Sequence, residues 1–194
     1  MRHVSIALAL LALAPAAARA APTEEDRSWY AVAKLGGFVP SNNYKDPSGI
    51  DQGSLKNSPA WEFGLGTAFG PGKMLGAEIS AGRTTTTAAG MDLSLVPVIA
   101  SFRFQVPIQV PAIAVTPYAE AGAGAFFSKA TLTGSSKSTT AFGYQLGAGA
   151  DLYFGPLLVG VDARYQWVEP SFGDPIGKVK ANGFVVLGKA GIRF

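Results

Sequence analysis

Ala60-Trp61-Glu62-Phe63-Gly64-Leu65-Gly66-Thr67-Ala68-Phe69 is the stretch from which the fold can be read. Trp61, Phe63, Leu65, Thr67 and Phe69 share one face, and Glu62, Gly64, Gly66 and Ala68 share the other. Alternation with period two is the signature of a β-strand with two unlike faces. The same period returns in 158–167, where Val159, Val161, Ala163, Tyr165 and Trp167 oppose Gly160, Asp162, Arg164 and Gln166. It returns again at the end, where Phe184, Val186, Gly188, Ala190, Ile192 and Phe194 oppose Val185, Leu187, Lys189, Gly191 and Arg193. Helical apolar spacing is absent.

Extending this reading gives eight strands, over 29–38, 60–69, 74–84, 91–105, 115–127, 141–154, 157–169 and 181–194. Their connections alternate in kind. Residues 39–59, 85–90, 128–140 and 170–180 form loops, of which 128–140 is rich in Ser and Thr. Gly70-Pro71-Gly72-Lys73, the proline-punctuated 106–114 and Gly155-Pro156 form turns. Strands of about 10 residues with loops on one side and turns on the other fit tilted strands crossing a bilayer.

The first residues support export. Met1-Arg2-His3 precedes an apolar stretch from Val4 to Ala14, and Ala18-Arg19-Ala20 ends the segment with small residues. This is the order of a secretory signal peptide, expected over 1–20. Residues 21–28 are then a short tail, and 29–194 the barrel domain. The apolar stretch is too short to be a membrane-spanning helix. Removing 1–20 takes Arg2 and Arg19 from the 16 basic residues, leaving 14 against 13 acids, a net charge near +1. The basic balance of the whole chain is therefore partly that of its leader.

Alternation alone also fits a soluble lipocalin-like barrel with its apolar face inward. Three features favour the inverse arrangement, apolar outward and polar inward. The second face is mostly Gly, Ala and charge, a poor water-facing composition. Aromatics fall at strand ends: Trp29, Phe69, Phe104, Tyr118, Phe154 and Phe194 at one side, and Phe38, Trp61, Phe127, Phe142, Trp167 and Phe184 at the other. Two such girdles mark the two membrane interfaces. The last strand closes on the aromatic Phe194. The expected fold is all-β: an eight-stranded antiparallel up-and-down transmembrane β-barrel in the cell outer membrane, both mature termini periplasmic.

By parity the lumen receives Lys34, Glu62, Glu78, Glu120, Asp151, Asp162, Arg164, Lys189 and Arg193. Strict parity in 91–105 would turn Arg103 to lipid. Pro97 donates no ladder bond, so a bulge there is expected to bring Arg103 inward. Five acids then face five bases, which predicts a paired network, because an unpaired charge in a tight interior is costly. The inward glycines Gly64, Gly66, Gly122, Gly124, Gly147 and Gly149 leave two readings open. They could leave room for a narrow ion path, or relieve crowding in a filled lumen.

Trp29-Tyr30-Ala31-Val32-Ala33-Lys34-Leu35-Gly36 resembles the first strand of the outer membrane protein A transmembrane domain. Arg164-Tyr165-Gln166-Trp167 resembles its seventh. Segments 94–104 and 141–151 resemble the wider family of small outer-membrane barrels, which includes the opacity proteins. The resemblance spans 29–194 and implies an eight-stranded up-and-down barrel. It also matches Lys34 and Asp151 to charged interior positions. Asp162 stands where that relative has arginine, so its pairing is expected to differ. Outer membrane protein A continues into a peptidoglycan-binding domain; the sequence here ends at Phe194, and that anchoring role is not expected to carry over.

Enzymatic roles are not expected. The chain has no cysteine, and its single histidine is His3, inside the expected leader. Thiolate chemistry, a histidine metal site and a Ser/His/Asp triad are all without their residues. Gly72-Lys73 is a Pro-Gly turn rather than a phosphate loop, since Thr67 and Met74 occupy key positions of that motif. Asp46 and Asp51 do not match a calcium loop. No cofactor and no metal site is expected.

The loops carry more bases than acids. Lys45, Lys56, Arg83, Lys129, Lys137, Lys178 and Lys180 outnumber Asp46, Asp51 and Asp174, which suggests a basic outer rim suited to lipopolysaccharide phosphates or acidic glycans. The expected role is structural and surface-interacting, with loops 39–59, 128–140 and 170–180 open to ligands. A low-conductance pore, or a binder of a small hydrophobic molecule, is the alternative. Expected partners are outer-membrane lipid and lipopolysaccharide, and the barrel assembly machinery during insertion. No nucleic acid is expected, and the protein is expected to be a monomer.

Overall fold

The computed structural model describes residues 28–194 apart from 46, 47, 89, 111, 112, 133, 134 and 175. The expected signal peptide and tail residues 21–27 lie outside the described residues. Eight strands form the barrel: β1 (Trp29–Pro40), β2 (Ser58–Phe69), β3 (Leu75–Ala88), β4 (Met91–Gln105), β5 (Ile113–Leu132), β6 (Ser135–Phe154), β7 (Leu157–Val168) and β8 (Gly183–Arg193). Each pairs antiparallel with its sequence neighbour, and β1 pairs with β8 to close the cylinder. Phe194 completes the closure: its N–H donates to the Trp29 carbonyl at 2.8 Å, and the Trp29 N–H donates to its carbonyl at 3.1 Å.

The register fixes the tilt. One hydrogen-bonded row runs Tyr30, Gly66, Glu78, Ser101, Gly122, Gln145, Gln166, Gly183 and returns to β1 at Pro40. The row climbs ten residues per circuit, from Tyr30 to Pro40. For eight strands such a stagger means strands tilted by about 40° and an interior that side chains can fill.

Outward residues form the expected apolar belt. Phe63 is 53% exposed, Ile79 56% and Val161 60%. At the outer edge Tyr144 stacks on Trp167 with ring centroids 5.0 Å apart, and Phe184 meets Tyr165 edge-on at 4.9 Å. Two girdle expectations are corrected. Phe38 and Tyr118 are buried and face the lumen. Both lie near strand ends, but their parity is that of Lys34 and Glu120 respectively.

Three further expectations change. β4 has no bulge: its register with β5 is unbroken from Met91–Leu132 to Gln105–Tyr118. Arg103 reaches the lumen by plain alternation, because Met91, Leu93, Leu95, Pro97 and Ile99 also face inward. The loops 85–90 and 128–140 are largely strand. β3 and β4 pair as far as Ala88–Met91, and β5 and β6 as far as Leu132–Ser135. Thr85, Thr86 and Thr87, like Ser135, Ser136, Ser138, Thr139 and Thr140, are β-branched or small polar residues that extend a ladder readily once its register is set.

The long first loop carries its own hairpin, Asn43–Lys45 with Asp51–Ser54. The Asn43 side-chain amide donates to the Asp51 carboxylate at 2.7 Å, and the Gly53 N–H donates to its other oxygen at 2.8 Å. These bonds hold the Asp51 carboxyl below the usual carboxylate range, Asn43 contributing most. Tyr44 tucks beneath and donates to the Ile176 carbonyl at 3.0 Å, tying this loop to the last one.

Candidate functional site: the barrel lumen and its outer rim

The lumen is built in three layers. The middle layer holds the charges. Lys34 contacts Glu78 at 2.6 Å and Asp162 at 3.1 Å. Arg103 contacts Glu78 at 2.7 Å, Glu120 at 3.1 Å and Asp151 at 3.8 Å. Arg164 contacts Asp162 at 3.2 Å, Glu120 at 3.9 Å and also Glu62. Lys189 pairs with Asp151 and donates to the Tyr118 hydroxyl at 2.9 Å.

These contacts close a ring of alternating sign: Arg164, Asp162, Lys34, Glu78, Arg103, Glu120 and back to Arg164. Glu62 hangs on Arg164, and the Asp151–Lys189 pair hangs on Arg103. The guanidinium of Arg103 also lies over the Tyr118 ring, 4.4 Å from its centroid. All nine members are at most 5% exposed. A buried charge in such a place is costly unless it is paired, and Lys34, Arg103 and Arg164 each have two or more carboxylate partners and Lys189 has one.

The sequence-derived inward set is thus brought together except for Arg193. That residue is half-buried near the periplasmic end, with its guanidinium 4.3 Å from the Tyr153 ring centroid. Asp162 pairs with Lys34 and Arg164. An acid on β7 therefore bridges bases from two strands, where the resembling family member has arginine.

Above the charges lies an apolar layer that alternation did not reveal. Met91, Leu93, Leu95, Ile99, Phe126, Ala130, Val168 and Ala181 are fully or almost fully buried. Tyr44, Leu55, Phe172, Ile176 and Val179 from the loops pack against them and cap the outer mouth. Below the charges, Tyr30, Val32, Tyr153 and Leu158 form a second apolar layer toward the periplasm. Between the middle and upper layers Glu62, Thr84, Phe126 and Gln166 help line a cavity of about 10 Å³, the size of a single water.

The inward glycines serve crowding. A Cβ at Gly66 would fall on the Tyr30 ring, one at Gly149 on the Tyr118 ring, and one at Gly147 on Arg164. At Gly66 and Gly149 a tyrosine ring from the neighbouring strand lies across the glycine, and at Gly147 the Arg164 Cβ and backbone of the paired strand come close. Gly66→Val is therefore expected to cost about 1–3 kcal/mol through overpacking. Combination with Tyr30→Ala should recover part of that loss. Urea midpoints of the refolded single and double variants check this; strictly additive losses would mean the two residues do not compete for space.

The basic rim is more dispersed than its residue count suggests. Lys45, Lys56, Lys129, Lys178 and Lys180 are exposed, and Lys180 stands 3.9 Å from Glu169. Lys137 is half-buried and donates to the Asp174 backbone carbonyl. Arg83 lies on the outward wall of β3, level with Trp61 of the outer girdle.

A crevice of about 340 Å³ opens beside the outer part of β6. Thr139, Thr140, Phe142, Tyr144, Trp167 and Asn182 are among its lining residues. Its floor is aromatic and its upper wall hydroxylated.

A family model described as an outer membrane protein beta-barrel domain matches residues 6–193. No curated protein matches the chain significantly. Among solved structures, the barrel of Neisserial surface protein A is similar at 18% identity with a TM-score of 0.60, over 85% of this chain and 95% of that one. The outer membrane protein OprG from Pseudomonas aeruginosa is similar at 14% identity with a TM-score of 0.59, over 87% and 96%. At these identities the likeness concerns the fold.

Proposed function

Because the chain belongs to the outer membrane protein β-barrel domain family, we propose that it is a sealed barrel with a structural and surface-interacting role. Its place is the cell outer membrane. The observation that carries this reading is the lumen's layering: a closed ring of ion pairs between two apolar layers, the outer one capped by loop side chains. Water and ions crossing it would have to part Phe126 from Leu95 and then break paired charges, each costly in a narrow interior. Of the glycines on which a pore would rest, Gly66 and Gly149 are spaces already taken by the Tyr30 and Tyr118 rings, and Gly64 and Gly147 lie against Glu78 and Arg164.

What remains for exchange with the surroundings is the outer end. Lys56, Arg83 and Lys129 are exposed at or beyond the outer girdle, where lipopolysaccharide phosphates would meet them as lipid partners. Phe194, exposed on the outward face at the closing seam, would be presented to the barrel assembly machinery during insertion.

Single-channel recording of residues 21–194 refolded into a planar bilayer tests the reading. A folded, heat-modifiable barrel should give no stable open steps. Steps that shift on neutralising Asp162 or Arg164 would replace the sealed barrel with a low-conductance pore.

A further inference from the structure

The ladder between β3 and β4 is broken at one place. It runs from Leu75–Phe104 to Ala81–Val98, stops, and resumes in the same register at Thr84–Leu95. Gly82 and Arg83 face Pro97 and Val96 across the gap. The cause is Pro97. The Gln105 N–H donates to the Met74 carbonyl, so the odd-numbered residues of β4 serve β3. Position 97 should therefore donate to the Gly82 carbonyl, and proline has no N–H to give. Gly82 brings no side chain to cover the place, since a Cβ there would meet the Trp61 carbonyl and the Glu62 side chain. The gap lies level with Trp61 of the outer girdle, and Arg83 is exposed beside it on the outward wall.

The small cavity of about 10 Å³ lies just inside. Pro97 and Arg83 line it together with Glu62, Thr84, Phe126 and Gln166, and of these Arg83 alone is exposed. Two buried polar atoms of the lining residues, Glu62 Oε2 and Gln166 Nε2, have no hydrogen-bond partner among the described residues. The other Glu62 oxygen is held by Arg164. One of the two atoms wants a donor and the other an acceptor, and leaving either unsatisfied is costly. A single water meets both needs, donating to the carboxylate and accepting from the amide.

We propose that this cavity binds one water molecule between Glu62 and Gln166, and that the water exchanges with the outer headgroup layer through the Gly82–Pro97 gap. The mouth is the longer route, closed by Phe172 and Ile176 over the layer that holds Leu95 and Phe126. Arg83 sits outside the gap, and an interfacial guanidinium keeps water around it. A cation is a poor occupant, because the Arg164 guanidinium already shares the Glu62 carboxylate and would repel it. The site makes Glu62 the point where the buried ion-pair network touches solvent. One water exchanging sideways carries no current, so the barrel stays electrically sealed.

Proton-detected solid-state NMR of residues 21–194 in lipid bilayers tests this, with the Gln166 side-chain amide assigned by its loss in Gln166→Leu. A water cross-peak is expected at that amide, with exchange into deuterated buffer at a measurable rate. Pro97→Val keeps the volume, gives Gly82 its missing donor and should slow that exchange about five-fold, the factor of one restored hydrogen bond. Ile176→Ala thins the cap and should leave the rate unchanged, which covers the case in which the valine variant fails to fold. Three results would overturn the proposal. The first is no water cross-peak, meaning that Gln166 and Glu62 meet directly. The second is an unchanged rate in folded Pro97→Val. The third is faster exchange in Ile176→Ala, which places entry at the mouth. Open conductance steps would remove the sealed barrel and leave this site in place, so the two readings fail separately.

Discussion

Arg103→Met is expected to destabilise the barrel by about 3–5 kcal/mol, the cost of removing one partner from a buried charge cluster. Methionine roughly keeps the apolar stem of arginine, so the loss reports charge and not a large void. Arg103 is the junction of the network: it touches Glu78, Glu120 and Asp151 and covers the Tyr118 ring. Without it Glu78 keeps Lys34, Asp151 keeps Lys189, and Glu120 keeps only the distant Arg164 contact at 3.9 Å. Glu120 is therefore the group left most exposed to desolvation without compensation. Adding Glu120→Gln to Arg103→Met should restore a substantial part of the stability, because the uncompensated charge is gone. Urea unfolding in lipid vesicles, followed by tryptophan fluorescence and heat-modifiable mobility, measures both. An unchanged midpoint for Arg103→Met would mean that the ring is not what holds the lumen together.

Phe126→Ala is expected to cost a similar amount, about 3–5 kcal/mol, by a different mechanism. Phe126 is completely buried in the outer apolar layer, within the same cluster as Leu95 and Val168. It also lines the small cavity beside Glu62 and Gln166, so truncation would enlarge an existing void. The penalty has two parts, lost contacts and an unfilled space. Phe126→Leu, which retains most of the volume, should lose well under half as much. The variant should remain electrically silent, since Met91, Leu93 and the loop residues Phe172 and Ile176 still cap the mouth. A loss below about 1 kcal/mol would show that the outer layer is loosely packed and not a seal.

Part of this molecule was legible in its sequence. Period-two alternation from β1 to β8 gave the strand count, and the difference between loops and turns gave the sidedness. The inward charged residues followed from parity, and each of the ten named lies in or at the end of the lumen. Alternation is local, so it survives reading one residue at a time. It falters where both faces are apolar. In β4, Leu93 and Leu95 look as lipid-compatible as Val96 and Val98, and choosing the wrong face forced the idea of a bulge at Pro97. Phe38 and Tyr118 are misplaced for another reason: a strand-end position alone suggests a girdle, while their parity is that of the inward Lys34 and Glu120. Hydroxylated stretches such as Ser135–Thr140 read as loop because nothing in their composition announces the ladder that a long neighbouring strand imposes.

The tertiary structure alone decided who meets whom inside the cylinder. Lys34 on β1 finds Glu78 on β3 and Asp162 on β7, strands that are not hydrogen-bonded neighbours of β1. That choice follows from the ten-residue stagger, which tilts the strands and carries distant residues to one height across a narrow lumen. The outer apolar layer has the same origin. Sequence sets the two faces of each strand, while stagger, strand length and closure set which faces converge.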